Sequence, residues 1–239
     1  ETIETELMLA DLDSLEKRVD NLAKKAKGND KDAKEALDLV NRALVLLRDG
    51  KPARFLERKP EEERAFGMLG LLTSKPVLYV CNVEEDSASS GNRFTEAVFA
   101  KAKAEGANAV IVSAAIESEL VGMEMDERLA FLAEMGLEDT GLARVIRAGY
   151  DLLHLLTFFT VGPKEARAWT VEVGSKAPQA AGVIHTDFER GFIRAEVAAY
   201  DDFVACGGEQ GAKDAGRWRL EGKEYVIQDG DVVHFRFNV

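Results

Sequence analysis

Apolar residues along the first fifty positions recur with a helical period. Met8, Leu12, Leu15, Val19, Leu22 and Ala26 follow one another at spacings of four and three, which places them on one stripe of a helix. A polar break, Lys27-Gly28-Asn29-Asp30, interrupts the pattern, and Ala33, Leu37, Val40, Leu44 and Leu47 then repeat it. Asp32, with Glu35 three residues on, fits an N-terminal capping box for the second helix. Two such stripes joined by a short loop predict an antiparallel coiled-coil hairpin, each arm about 25–30 Å long at about 1.5 Å per residue. Gly50 and Pro52 end it.

Beyond the hairpin the period changes. Pro60 followed by Glu61, Glu62 and Glu63 predicts a helix start, since proline suits the first turn and carboxylates there favour the helix dipole. That chemistry accounts for the glutamate run better than a metal site does. Pro76 to Cys81 is a continuous apolar run of the kind found in strands covered on both faces. A helix from Asn92 to Glu105, stopped by Gly106, separates it from a second such strand, Ala109 to Val112. A strand–helix–strand unit is parallel and right-handed. Two parallel strands do not stand alone, so the pattern implies further strands, from a larger domain or from another chain.

A helix from Thr140 to Tyr150 bridges into the last segment. There Leu155 to Val161, a Gly162-Pro163 turn and Ala168 to Val173 read as a hairpin. A short helix is expected near Pro178 to His185. Strands are expected at Phe192 to Val197, Trp218 to Leu220 and Val232 to Phe237, with turns at Gly222 and Asp229-Gly230. A small mixed sheet wrapped on one helix is the β-grasp arrangement. The fold class is therefore α/β plus α+β, in three segments: a coiled-coil hairpin at 1–59, part of a larger parallel sheet at 60–150, and a β-grasp domain at 151–239.

Charge and cysteines narrow the chemistry. The formal net charge is −12 over 239 residues, but it is uneven. Residues 1–60 carry 13 basic and 13 acidic side chains, 61–150 carry 8 and 16, and 151–239 carry 10 and 14. An acidic whole argues against tight non-specific nucleic-acid binding, which rests on neutralising phosphates. Any RNA contact then needs a local basic patch. The hairpin tip supplies one, with Lys24, Lys25, Lys27, Lys31 and Lys34 against Asp30 and Asp32. Cys81 and Cys206 are far apart and lack CxxC spacing, so a disulfide framework is not expected and a reducing cytoplasm is. The longest apolar stretch, Leu152 to Val161, is interrupted by His154 and is far short of the roughly 20 residues of a membrane span. No secretory signal pattern is present, and the chain opens on Glu1 inside a helical pattern, as a cut fragment would.

Ligands of open α/β sheets bind beyond the carboxyl ends of the strands. The first predicted strand runs there into Asn82-Val83-Glu84-Glu85, the second into Ser113-Ala114-Ala115. Asn-x-x-acid after one strand and Ser-Ala after the next is the base-recognition arrangement of GTPase-like P-loop proteins. Asn82 would tie the neighbouring loops, Glu85 would face the base edge, the Val83 backbone would lie beside it, and Ser113 with the Ala114 N–H would meet the base from the other side. His154, His185 and His234 have neither metal-ligand spacing nor a serine or cysteine partner, so no catalytic or metal-ligating residue is assigned. Trp169 and Trp218 read as core aromatics of short strands.

Three segments carry a family resemblance. Lys75 to Asn82 with Glu85 resembles the YchF version of the guanine-specificity motif, in which Asn-Lys-x-Asp has become Asn-x-x-Glu. Glu4 to Asp11 is similar to that family's start of its coiled-coil insertion, and Gly182 to Val197 to the signature of its C-terminal TGS domain, a β-grasp module. The resemblance to the YchF/Obg-like ATPases covers essentially the whole chain. It implies a GTPase-like domain interrupted by a coiled coil and followed by a TGS domain. It also implies hydrolysis of ATP in preference to or alongside GTP, with Mg²⁺, and a ribosome or RNA partner. The sequence departs from the pattern at the front: it contains no Gly-x-x-x-x-Gly-Lys-Ser/Thr and no Asp-x-x-Gly, the parts that cradle phosphates and hold Mg²⁺. Residues 1–239 alone are therefore expected to be inactive. The rival expectation is a non-catalytic ribosome- or RNA-binding adaptor acting through the hairpin and the β-grasp domain. Oligomeric state is left open.

Overall fold

The computed structural model describes residues 2–28 and 30–238, and by tertiary contacts the chain divides into two units, 1–77 and 78–239. It is a mixed α/β fold.

In the first unit, helices α1 (Thr2–Lys27) and α2 (Lys31–Arg48) run back along each other. Leu15, Leu39, Val40, Ala43, Leu44 and Leu47 are buried at the seam, with Met8, Leu12, Val19 and Leu22 packed beside them. The apolar face of α2 is thus broader than the single stripe read from the sequence. The reason is a second covering: residues 53–71 fold back on the hairpin and bury Ala53, Phe66, Leu69 and Leu71 in the same cluster. The second helix starts two positions earlier than a cap at Asp32 implies. Asp30 is its N-cap, accepting the Ala33 N–H at 3.1 Å, which places Asp32 inside the first turn. The segment opened by Pro60 is only a 3₁₀ turn and one short helix, α3 (Glu63–Gly67). Its glutamates meet arginines, Glu62 with Arg42 at 2.9 Å and Glu63 with Arg58 at 3.1 Å. The deepest polar contact pins the returning segment. Asp11, 2% exposed, accepts the Leu72 and Thr73 N–H groups at 2.8 Å each and the Thr73 hydroxyl at 2.6 Å. Thr73 Oγ1 in turn accepts the Ala53 N–H at 3.0 Å.

The second unit opens with strand β1 (Leu78–Asn82), helix α4 (Arg93–Glu105) and strand β2 (Asn108–Val112), and β1 and β2 pair in parallel. The α4 ends match its sequence signals. Asn92 accepts the Phe94 and Thr95 N–H groups, and Gly106 closes the helix at φ +65°. Gly91, at φ +75°, is required by space as well as conformation, because a Cβ there would stand 2.4 Å from Thr95 Oγ1. Helices α5 (Ala114–Leu120), α6 (Met125–Glu134) and α7 (Gly141–Leu152) follow. The strands are not covered as their apolar runs imply. Val80 is 49% exposed and β2 is half-buried throughout, because only α4 and α7 pack on them and no third strand pairs with either among the described residues.

Next come β3 (Leu155–Val161), β4 (Ala166–Glu172), α8 (Ala177–Ile184), α9 (Thr186–Arg190), β5 (Phe192–Ala199), α10 (Tyr200–Ala205), α11 (Glu209–Asp214), β6 (Arg219–Glu221) and β7 (Asp231–Phe237). The sheet order is β4-β3-β7-β5-β6, with β3 and β7 parallel and the other pairs antiparallel. Helix α8 presses Ala177, Ala180 and Ala181 against Leu156, Phe158, Val197, Val233 and Phe235. The short helices α9, α10 and α11 carry too few turns to show a period. None of the described helices is long and apolar enough to cross a membrane.

Replacing Asp11 with alanine leaves three donors without an acceptor, two of them on buried Thr73. We expect a loss of about 2–4 kcal/mol of stability, from the cost of unsatisfied buried donors, measured by urea unfolding with the signal from the first unit.

Candidate functional site

The base-facing end of the β1–β2 pair is built by two strand ends meeting. Past Asn82 the Val83 N–H donates to the Val112 carbonyl at 2.9 Å, extending the ladder by one residue, and the chain then turns through 85–87. On the other strand Ser113 stays extended and α5 begins at Ala114. The first N–H groups of a helix have no acceptor within it. Ser113 makes no cap hydrogen bond with its own side chain, and the acceptor comes instead from β1: the Ala114 N–H donates to Asn82 Oδ1 at 2.9 Å.

Around this contact Asn82, Glu85 and Ala114 are exposed and Val83 is half-buried. Ser113 is only 2% exposed and its buried Oγ has no hydrogen-bond partner, so the side chain does not reach the surface where a base would lie. The Val83 N–H is committed to Val112, which removes it as a donor to a base. A cavity of about 280 Å³ lies beside the strand end, lined by Tyr79, Cys81, Asn82, Val83, Phe94 and Thr95. Burial pushes the Cys81 thiol up, which keeps it protonated and unreactive. A larger cleft of about 460 Å³ lies on the five-stranded sheet, walled by Trp169, Ile184, Phe188 and Phe237. The structure thus brings Asn82, Val83 and Ala114 together and leaves Glu85 on the outer turn; the Ala114 N–H, expected to meet the base, is like the Val83 N–H already given to an acceptor within the protein. A nucleotide is the group that the family resemblance implies at this end. For its phosphates and Mg²⁺ the 239 residues supply no Gly-x-x-x-x-Gly-Lys-Ser/Thr and no Asp-x-x-Gly.

The five lysines of the hairpin tip are all exposed, Lys24, Lys25 and Lys27 on the last turns of α1 and Lys31 and Lys34 at the start of α2. Lys31 approaches Glu35 at 3.7 Å. Asn29, between the two groups, lies outside the described residues.

His185, Trp169 and Trp218 have structural partners, while the buried His234 Nδ1 has none. His185 Nδ1 accepts the Asp187 N–H at 3.2 Å and caps α9. Trp169 donates to Thr160 at 2.9 Å and Trp218 to Glu196 at 3.3 Å. Glu196, Glu209 and His234 bring ligand atoms within 4.8 Å of one another. Both Glu196 oxygens, however, accept from the Arg236 guanidinium, at 3.0 and 3.2 Å, and that contact holds its carboxyl below the usual range. A cation would have to displace another cation there. Sequence reasoning missed Glu117. Its carboxylate accepts the Gly141 and Leu142 N–H groups, and a partner 24 residues away leaves no local signature.

Comparison with known proteins defines the class first. The family model YchF-GTPase_C, described as a protein of unknown function (DUF933), matches residues 155–238. The solved YchF GTPase of Schizosaccharomyces pombe superposes with a TM-score of 0.82 at 31% identity, covering 98% of this chain and 64% of that one. The chain is 53% identical over 239 residues to the ribosome-binding ATPase YchF of Pasteurella multocida (strain Pm70) and 50% identical over 241 residues to that of Bacillus subtilis (strain 168). Both matches cover all of this chain and 66% of the relative. The chain belongs to the YchF/Obg-like ATPase family, and it spans about two-thirds of the length of the curated relatives it matches.

Asn82→Ala leaves the Ala114 N–H without its acceptor and the Val83–Val112 bond in place. Amide exchange at Ala114 is expected to speed up about 3- to 10-fold, the worth of one net hydrogen bond, with Val83 unchanged. Nuclear magnetic resonance exchange on the two amides checks it.

Proposed function

We propose that this chain carries the base-recognition end and the ribosome-facing parts of a nucleoside triphosphatase, cytoplasmic and translation-associated, that takes ATP at least as well as GTP. The single observation that carries the reading is the 2.9 Å bond from the Ala114 N–H to Asn82 Oδ1, which joins the two strand-end loops that face a base. The functional division is the one the sequence pattern draws: a coiled-coil domain at 1–59, part of a GTPase-like domain at 60–150 and a TGS domain of β-grasp type at 151–239. The relatives' names, ribosome-binding ATPase, support both the activity and the partner. Phosphate and Mg²⁺ contacts would come from a part of the protein outside these 239 residues, and the chain by itself would neither hydrolyse nucleotide nor hold it tightly.

Base choice follows from Glu85 and Val83. Guanine offers N1–H and an exocyclic N2 amine side by side, and the aspartate of Asn-Lys-x-Asp accepts both. Adenine offers an N6 donor and a bare N1 acceptor, so a carboxylate facing N1 is repelled. Glu85 is one methylene longer than that aspartate and sits on the exposed turn at 85–87, and Val83 replaces the lysine whose stem would cover the ring. With the Val83 N–H held by β2, its carbonyl is the group left to accept from adenine N6. A good bidentate base contact is worth roughly 1–3 kcal/mol, so its loss removes about 5- to 150-fold of guanine preference.

In the full-length protein, competition binding is expected to show ATP bound at least as well as GTP, and Glu85→Asp to shift the ratio only partly toward GTP. A wild-type preference for GTP above about tenfold would place the result outside what this pocket allows. For the partner, changing Lys24, Lys25 and Lys27 to glutamate is expected to weaken ribosome association and flatten its salt dependence, because the salt slope scales with the number of phosphates the protein neutralises. Sedimentation with ribosomes at several salt concentrations measures both, and an unchanged slope would remove the hairpin tip as a ribosome-binding element.

A further inference from the structure

We propose that Glu117 is the positioning residue of the base-facing loop, locking the Ala114 N–H in place by bracing α5 against the start of α7. The proposal deepens the base-site reading and rests on it. Glu117 lies one helical turn beyond Ala114, its own N–H donating to the Ser113 carbonyl at 3.0 Å. Its side chain reaches the start of α7. Oε1 accepts the Gly141 N–H at 2.5 Å and Oε2 accepts the Leu142 N–H at 3.2 Å. These are the orphan donors at the N-terminus of α7, where a carboxylate also suits the helix dipole. Thr140 caps the same helix locally, accepting the Ala143 N–H at 3.0 Å. Glu117 takes the two donors that Thr140 leaves over, and it brings them from a different helix, so the same contacts that complete the cap also tie α5 to α7.

The interactions close a ring. Asn82 Oδ1 holds Ala114, and the first turn of α5 carries Ala114 to Glu117. Glu117 holds Gly141. Gly141 is buried against Val112, so closely that a Cβ would stand 3.0 Å from Glu117 Oε1 and 3.1 Å from Val112 Cγ1. Val112 pairs with Asn82 in the ladder and accepts the Val83 N–H. In a ring of short contacts no member shifts alone, and the two members that face a base are Asn82 and Ala114. The helix braced by Glu117 runs on to Tyr150, whose hydroxyl lies 3.0 Å from Thr170 Oγ1 on β4. The far end of α7 thus touches the five-stranded sheet. Glu117 does not touch the base in this arrangement. It acts through Ala114.

The test uses the full-length protein and two probes, ATP–Mg²⁺ and inorganic tripolyphosphate–Mg²⁺, which lacks a base. Glu117→Ala is expected to weaken ATP binding about fivefold or more and leave tripolyphosphate binding unchanged, the range of a typical coupling between adjoining elements. Glu117→Gln keeps one acceptor and is expected to restore part of the ATP affinity. In the wild type, ATP is expected to slow amide exchange at Gly141 and Leu142, and Glu117→Ala at saturating ATP to lose that protection. Equal loss for both probes, or loss for neither, overturns the proposal. Should Glu117→Ala fail to fold, Gly141→Ala, whose methyl displaces Oε1 while Thr140 still caps α7, is expected to give the same base-selective loss. Asn82→Ala separates the two readings. If it leaves ATP affinity at the wild-type value, the base site itself is wrong. If it weakens ATP while the Glu117 and Gly141 variants do not, only the positioning role fails.

Discussion

A helix that starts directly from a strand end has N–H groups pointing at the space where a ligand would sit, and something must accept from them. In the second unit that acceptor is a side-chain amide from the neighbouring strand. Asn82 Oδ1 takes the Ala114 N–H, and the parallel ladder below it, ending with the Val83–Val112 bond, fixes how far apart the two groups stand. The arrangement needs a short polar side chain at the end of β1, a small residue at the start of α5 and a parallel pair in register between them. Asparagine, alanine and the Leu78–Asn108 to Asn82–Val112 register supply all three. Glu117 accepts from Gly141 on the far side of the same loop, where Gly141 packs against Val112.

The first unit solves a different problem with the same kind of group. Two amphipathic helices bury one stripe each and leave the flanks of α2 apolar. The chain from 53 to 74 covers one flank, and its backbone must find acceptors where it lies against the helices. Asp11 provides them from the middle of α1, with three donors on one carboxylate. Buried carboxylates are tolerated where they are fully hydrogen-bonded. The first unit accordingly extends to Val77, well past the hairpin.

Elements with a strong period were legible in the sequence. Both hairpin helices, the strand–helix–strand unit, the α7 bridge and all five strands of the last sheet fall within a few residues of where their patterns put them. Strand β4 begins two residues early at Ala166, since the hairpin register pairs it with Val161. Short helices such as α10 and α11 were not legible, because six residues show no periodicity. The cap at Asp30 was missed in favour of Asp32 because only Asp32 has a glutamate three residues on, whereas Asp30 caps through its own side chain with Ala33 at that place.

The chain's own order of residues determined its secondary structure, its acidic balance with a basic hairpin tip, and the two strand-end motifs at Asn82 and Ser113-Ala114. Those properties depend on neighbours a few positions apart, which a linear pattern records. Tertiary structure alone decided which polar group answers which. It directed the Asn82 amide to Ala114, committed the Val83 N–H to the sheet, buried the Ser113 hydroxyl, and paired Glu117 with Gly141 and Asp11 with Thr73. The physical reason is that a hydrogen bond requires its two groups within about 3 Å and aligned, a condition on space that residues 24, 32 and 62 positions apart meet only once the chain has folded.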